Sequence, residues 1–161
     1  MSVHREVSLR PVEDGDRAML AAWLEKDYVR TWFEDAGDWL REIDGRNDIF
    51  AWIRHFIAMD GAVPLGFCQM YDCHDAGESW YEVSGRGDTY SIDYLIGREE
   101  YLGKGYGKAI VCCLTGILQS EGNARRIIVQ PEKENGASVH VLLANGYGYD
   151  EKAGYYVRWL R

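Results

Sequence analysis

Apolar and polar positions along this chain switch between a period of two and a period near 3.6. Val7 to Arg10 alternates and stops at Pro11, which predicts a short strand. Asp14 or Asp16 then offers an N-cap to a helix whose Met19, Leu20, Trp23 and Leu24 recur at helical spacing. Tyr28 to Phe33 and Trp39 to Ile43 read as short helical pieces lying over it. Two strands follow, Ile49 to Met59 and Val63 to Tyr71, with Asp60-Gly61 as a hairpin turn between them. Cys73 to Gly87 is a polar loop. Next come a strand over Tyr90 to Ile96, a glycine-rich turn, and a helix from Lys104 to Ser120 with Ile110, Leu114, Ile117 and Leu118 as its core stripe. Arg126 to Gln130 is a strand ended by Pro131, and Ala137 to Ala144 is a helix closed by Asn145-Gly146. Tyr147 to Glu151 and Tyr155 to Leu160 finish as a hairpin. This order predicts an α/β domain, a mixed sheet with helices on its faces.

Length fits one compact domain over residues 1–161, long enough to bury a real core. No apolar run approaches the ~18 residues of a membrane span, and MSVHREVSLR has no apolar stretch resembling a signal peptide. Cys68, Cys73, Cys112 and Cys113 form no C-x-x-C pair and read as reduced thiols of a cytoplasmic protein. Cys73-His74-Asp75 has no second ligand pair beside it, so no metal is expected. The net charge of −8 and the lack of a basic stripe argue against a nucleic-acid partner. Acids gather at Glu34, Asp35 and Asp38 and again from Asp72 to Glu82. They read either as solvated surface or as a field that attracts a cationic substrate.

The segment with the most chemistry is Ser91 to Lys108, SIDYLIGREEYLGKGYGK. An apolar strand carrying Asp93 runs into Gly103-Lys104-Gly105-Tyr106-Gly107, and a long helix follows. Alternate glycines let backbone N–H groups approach an anion, and the helix N-terminus adds unpaired donors. The spacing G-x-G-x-G is not the dinucleotide fingerprint. Lys104 is followed by Gly105, not Ser or Thr, so it is not a Walker A loop either. What remains is a strand, loop and helix able to hold a diphosphate by backbone groups, with an acid just upstream.

Those residues give the chain a resemblance, over nearly its whole length, to the GNAT acyltransferases. Leu102-Gly103-Lys104-Gly105-Tyr106-Gly107 is similar to that family's acetyl-CoA loop, although Leu102 stands where Gln or Arg is common. A closer resemblance is to the aminoglycoside 6′-N-acetyltransferases. It rests on Ala22-Trp23-Leu24 with Val29 to Phe33, on Gly66 to Glu82 (GFCQMYDCHDAGESWYE), and on Ile92-Asp93 followed by Leu102-Gly-Lys-Gly at the same spacing. These motifs are shared in part with acyltransferases acting on hydroxylated lysine in siderophore synthesis. The implied fold is a mixed, mostly antiparallel sheet of six to seven strands flanked by about four helices.

The resemblance also implies roles. Acetyl-CoA would be the co-substrate, with no metal, and the acceptor a primary amine of a cationic small molecule. Asp93 would bind that amine and accept its proton. Gln69, Glu78 and Trp80 would line the acceptor site, with Trp32 at its rim. Backbone groups of Leu95 and Gly97 would hold the pantetheine arm and thioester. Leu102 to Gly107 would hold the pyrophosphate, and Asn135 would touch the cofactor arm. Two departures stand out. Leu142 occupies the place of a Tyr that protonates the leaving thiolate, which leaves water, Tyr147 or Tyr149 for that task. Gln130 stands where some aminoglycoside enzymes carry an acid. The competing readings are a siderophore-type or protein N-acyltransferase and a non-catalytic acyl-CoA sensor. A monomer or a homodimer fits equally well.

Overall fold

The computed structural model describes residues 5–161. In chain order the elements are β1 (Ser8–Pro11), α1 (Arg17–Leu24), α2 (Asp27–Arg30), α3 (Ala36–Asp44), β2 (Ile53–Asp60), β3 (Val63–Asp72) and α4 (Cys73–Ala76). Then come β4 (Thr89–Ile96), α5 (Tyr106–Glu121), β5 (Arg126–Val129), α6 (Gly136–Ala144), β6 (Gly148–Asp150) and β7 (Tyr155–Trp159). The strands make one seven-stranded sheet in the order β1-β2-β3-β4-β5-β7-β6. Every neighbouring pair is antiparallel except β4 and β5. Four helices are eight residues or longer, and α2 and α4 are single turns.

Two cores sandwich the sheet. On one face α5 and α6 press Ile110, Leu114, Leu118 and Leu142 onto Ala58, Cys68, Met70 and Ile92. On the other, α1, α2 and α3 press Leu20, Trp23, Val29 and Ile43 onto Ile57, Phe67 and Leu95. The period of two assigns the faces: Ile92 belongs to the first core and Leu95, three residues on, to the second. The run Leu65 to Met70 in β3 is buried throughout, as a central strand covered on both faces must be. Each fully buried Leu or Ile stabilises the fold by about 1.5–3 kcal/mol relative to exposure.

Some boundaries differ from the sequence expectations. Ile49 to Trp52 is turn, not strand, and β2 begins only at Ile53. There the Phe50 N–H returns to Gly45 O at 2.9 Å instead of joining a ladder. Neither Asp14 nor Asp16 caps α1 with its side chain. Asp16 is claimed by Arg10 in a two-pronged pair at 2.8 Å, and Asp14 by Arg46 at 2.6 Å. An ion pair with a fitted guanidinium outcompetes a single capping bond.

The feature that places the functional site is the junction of β4 and β5. They pair only at Thr89–Arg126 and Tyr90–Ile127. β4 continues for six more residues, whereas β5 stops at Val129, just before Pro131. From Ile92 onward the strands diverge, and the sheet opens into a cleft.

Candidate active site

The cleft encloses about 1130 Å³ and is lined by β4, the glycine turn, the start of α5, the end of β5, α6 and the aromatic end of α2 and its following turn. At one end lies the turn. Gly103 and Gly105 sit at φ +69° and +89°, a region closed to most side chains. Gly105 is the residue from which the sixteen-residue helix α5 starts, so unpaired N–H groups and the positive helix end face this part of the cleft. Lys104, Lys108 and Arg5 line the same end. Arg5 Nε donates to Lys104 O at 2.9 Å, and its guanidinium covers the Tyr106 ring at 5.3 Å. Gly107 backs onto Tyr94: a Cβ there would come within 3.1 Å of that ring. Leu102 and Asn135 also line the cleft. The Asn135 Oδ1 accepts the Ser138 N–H at 3.1 Å as the α6 cap, leaving its amide NH2 uncommitted to that cap.

Leu95 lines the cleft, but Gly97 does not. Gly97 lies under the Trp23 ring, which a Cβ would approach to 2.0 Å, and its N–H goes to Leu65 O at 2.8 Å. Hydrogen-bonded pairs alternate along an antiparallel ladder. In this register Leu95 and Asp93 therefore also turn their backbone groups to β3, opposite Phe67 and Gln69. The backbone facing the gap belongs to Ile92, Tyr94 and Ile96. The Ile96 carbonyl accepts the Tyr28 hydroxyl there at 2.8 Å.

Asp93 lines the cleft. Gln69, directly opposite on β3, donates Nε2–H to its Oδ2 at 2.9 Å. Burial lifts the Asp93 pKa to about 6 against the pull of that hydrogen bond, and Glu78 and Glu42 push it further the same way. Among the described residues no Arg or Lys pairs with Asp93, so it is not a structural acid of the ion-pair kind. Glu78 is exposed and accepts the Tyr71 hydroxyl at 3.0 Å. Glu42 on α3 is also raised, chiefly by burial, with Asp38 and Glu78 adding to it. Glu78 thus pushes on both Asp93 and Glu42, and Glu42 on Asp93.

Trp32 lines the cleft beside Phe33 and Trp39, and the rings of the latter two lie 4.9 Å apart. Trp80 does not reach it. That ring packs edge-on against Tyr81 at 4.7 Å and Tyr155 at 5.9 Å in a third apolar cluster. Tyr147 is buried and bonded to Thr115 at 2.9 Å, with its pKa raised to about 12 by burial. Tyr149 stands on the edge strand β6, half exposed against Tyr156. Neither borders the cleft, so both drop out as donors to a thiolate. Leu142 does border it, as do the hydroxyl-bearing Ser138, one turn earlier on α6, and Tyr94 on β4. Sequence reading passed over Tyr28, Trp39, Glu42, Tyr94 and Arg5. For Tyr94 a signal existed: it follows Asp93 on a strand, so its backbone must face the side opposite to that of Asp93.

A family profile described as acetyltransferase (GNAT) domain matches residues 13–153. The chain belongs to the GNAT acetyltransferase family. Its enzymes are acyltransferases dependent on acetyl-CoA, and the seven-stranded, mostly antiparallel sheet is the GNAT fold. An aminoglycoside N(6′)-acetyltransferase type 1 of Klebsiella pneumoniae is 28% identical over 135 residues, covering 80% of this chain and 67% of that enzyme. The structure of AAC(6′)-Ib with ribostamycin and coenzyme A aligns with a TM-score of 0.83 at 25% identity, covering 96% of this chain and 93% of that one. A spermidine N-acetyltransferase of Vibrio cholerae, solved with coenzyme A and spermine, shares the fold at 14% identity, with a TM-score of 0.70 and coverage of 90% and 82%.

Proposed function

We propose that this GNAT enzyme acetylates a primary amine of a polycationic small molecule, of the aminoglycoside class. The carrying observation is the charge layout of the cleft. Arg5, Lys104 and Lys108 gather with the α5 N-terminus at one end; Asp93 is pushed on by Glu78 and Glu42, and among the described residues no Lys or Arg pairs with it. The first end suits a diphosphate, the second an ammonium-bearing acceptor.

The cleft's volume of about 1130 Å³ and the cations at the glycine turn support acetyl-CoA as its occupant. Gly103 to Gly107 with Lys104 would hold the pyrophosphate, and Asn135 and Leu102 would flank the arm. Backbone groups of Ile92 and Tyr94 would meet the arm in place of Leu95 and Gly97, whose N–H groups are spent on β3. When bound, acetyl-CoA supplies an activated acyl group and a thiol leaving group. Asp93 orients the acceptor ammonium and takes its proton. A carboxylate with a pKa near 6 is ionised at neutral pH yet basic enough to relay a proton. Holding amine and acyl carbon together converts an encounter into an effectively unimolecular step. Trp32, Phe33 and Trp39 wall the acceptor side, and Glu78 and Glu42 draw the cation in. Tyr94 and Ser138 carry a proton to the departing sulfur in place of the residue at Leu142. The four free thiols, two of them buried, support a reducing, cytoplasmic setting. No helix among the described residues is long and apolar enough to cross a membrane.

Calorimetric titration with acetyl-CoA, followed in the same cell by kanamycin, tobramycin, spermidine and lysine, tests the reading. A cofactor heat and a second heat with the aminoglycosides, matched by turnover, are expected. A second heat with lysine alone would move the enzyme to the siderophore-type or protein acyltransferases. Cofactor binding without turnover of any amine would favour a sensor.

A further inference from the structure

His55 borders no part of the cleft and has no role in the chemistry above. It stands on β2 opposite Gln69 of β3, which stands opposite Asp93 of β4. Residues directly opposite share one face of a sheet, with Cβ atoms about 4.5–5.5 Å apart. The three side chains therefore form a polar row across three strands. His55 is 5% exposed and Gln69 3%. Gln69 gives its amide N–H to Asp93, which leaves Oε1 buried. Among the described residues Oε1 has no hydrogen-bond partner, and neither ring nitrogen of His55 has one. An unsatisfied buried polar atom costs about 1–3 kcal/mol. The unpaired atoms are complementary: an amide oxygen only accepts, and a neutral imidazole carries one N–H donor. Phe67 stacks on the His55 ring at 5.9 Å and restricts it. Burial, with the Arg46 guanidinium nearby, drops the His55 pKa to about 4, so the ring is neutral at working pH.

We propose that His55 is a positioning residue for acyl transfer: its ring N–H, directly or through one internal water, holds Gln69 Oε1 so that Gln69 Nε2 stays aimed at Asp93. This rests on the reading of Asp93 as the amine-binding base. Released from His55, the Gln69 amide is free to turn over and set its oxygen against the carboxylate. Asp93 then loses the donor that restrains its pKa, while burial, Glu78 and Glu42 continue to push on it and Arg46 still faces position 55.

The test is the pH profile of kcat/KM in His55→Phe, which keeps the stacking on Phe67 and removes the donor. The acid limb is expected to move upward from near pH 6 by about half a unit to one unit, with kcat down roughly tenfold and KM for acetyl-CoA unchanged. His55→Asn, which retains a donor, should recover part of the loss. In a Gln69→Leu background His55→Phe should add nothing. Long-range proton–nitrogen NMR of the wild-type protein should show a slowly exchanging His55 ring N–H that disappears in Gln69→Leu. An unmoved acid limb with equal losses in both backgrounds would overturn the proposal. If His55→Phe does not fold, the wild-type NMR decides, and the lack of a protected ring N–H overturns it as well. Normal turnover in Asp93→Asn would instead sink the reading of Asp93 itself. Lost turnover there with an unmoved limb in His55→Phe sinks only the role of His55.

Discussion

In the proposed function Asp93 concentrates the chemistry, and its buried environment costs stability. The native carboxyl keeps its proton up to about pH 6, whereas an unfolded aspartic acid releases it near 3.8. Between those values the native state binds more protons than the unfolded one, so stability falls as pH rises through the window, by about 2–3 kcal/mol in all. Asp93→Asn removes the buried charge. We expect the variant to lose turnover by roughly 10²–10⁴-fold while still binding acetyl-CoA. At pH 8 it should melt higher than the wild type, and at pH 4 the two should nearly coincide. Melting curves at both pH values, beside steady-state kinetics, check all of this. Wild-type turnover in Asp93→Asn would remove the residue from the mechanism.

At the scale of elements, two glycines set how helices meet the sheet. Gly105 starts α5 at φ +89°. Gly105→Ala forces an L-residue into left-handed geometry at a cost of about 1–2 kcal/mol and adds a methyl at the proposed pyrophosphate site. A melting point lowered by a few degrees and acetyl-CoA binding weakened by about tenfold or more are expected, read by calorimetry. Unchanged affinity would mean the turn is not the cradle. Gly97 meets a different constraint, since a Cβ would lie 2.0 Å from the Trp23 ring. Gly97→Ala must push α1 from β4, and we expect destabilisation of about 3 kcal/mol or insolubility, measured by denaturant unfolding. Gly105 was legible in the sequence as part of a glycine cluster. Gly97 was expected as a cofactor contact through the family resemblance, which does not reveal that an indole packs on it.

Over the whole molecule, the net charge of −8 is less informative than where the charge sits. Arg5, Lys104 and Lys108 line the cleft around the glycine turn, and Glu78 and Glu42 act on Asp93 in its wall. A polycationic acceptor should accordingly bind more weakly as salt rises, with KM up several-fold between about 50 and 300 mM salt and kcat nearly constant, because exposed charges are screened beyond about 8–10 Å. Glu42→Gln with Glu78→Gln should raise the acceptor KM at low salt and flatten its salt dependence, leaving acetyl-CoA affinity unaltered. A KM indifferent to salt would argue against a polycation.

Local patterning by itself determined nearly all the elements, the hairpin between β2 and β3, the glycine turn and the acid upstream of it. Each of these depends on neighbours a few residues away. Periodicity also told Ile92 from Leu95 as residues of opposite faces. Only the tertiary structure decided where β4 leaves β5, which creates the cleft, since strand separation depends on partners more than thirty residues apart in sequence. It also sent Trp80 into an apolar cluster with Tyr155, brought Trp39 to the cleft wall and Glu42 within the electrostatic reach of Asp93, and buried Tyr147 against Thr115. The row His55–Gln69–Asp93 is of the same kind. Three polar residues on three strands mean little one by one, and strand register alone sets them side by side.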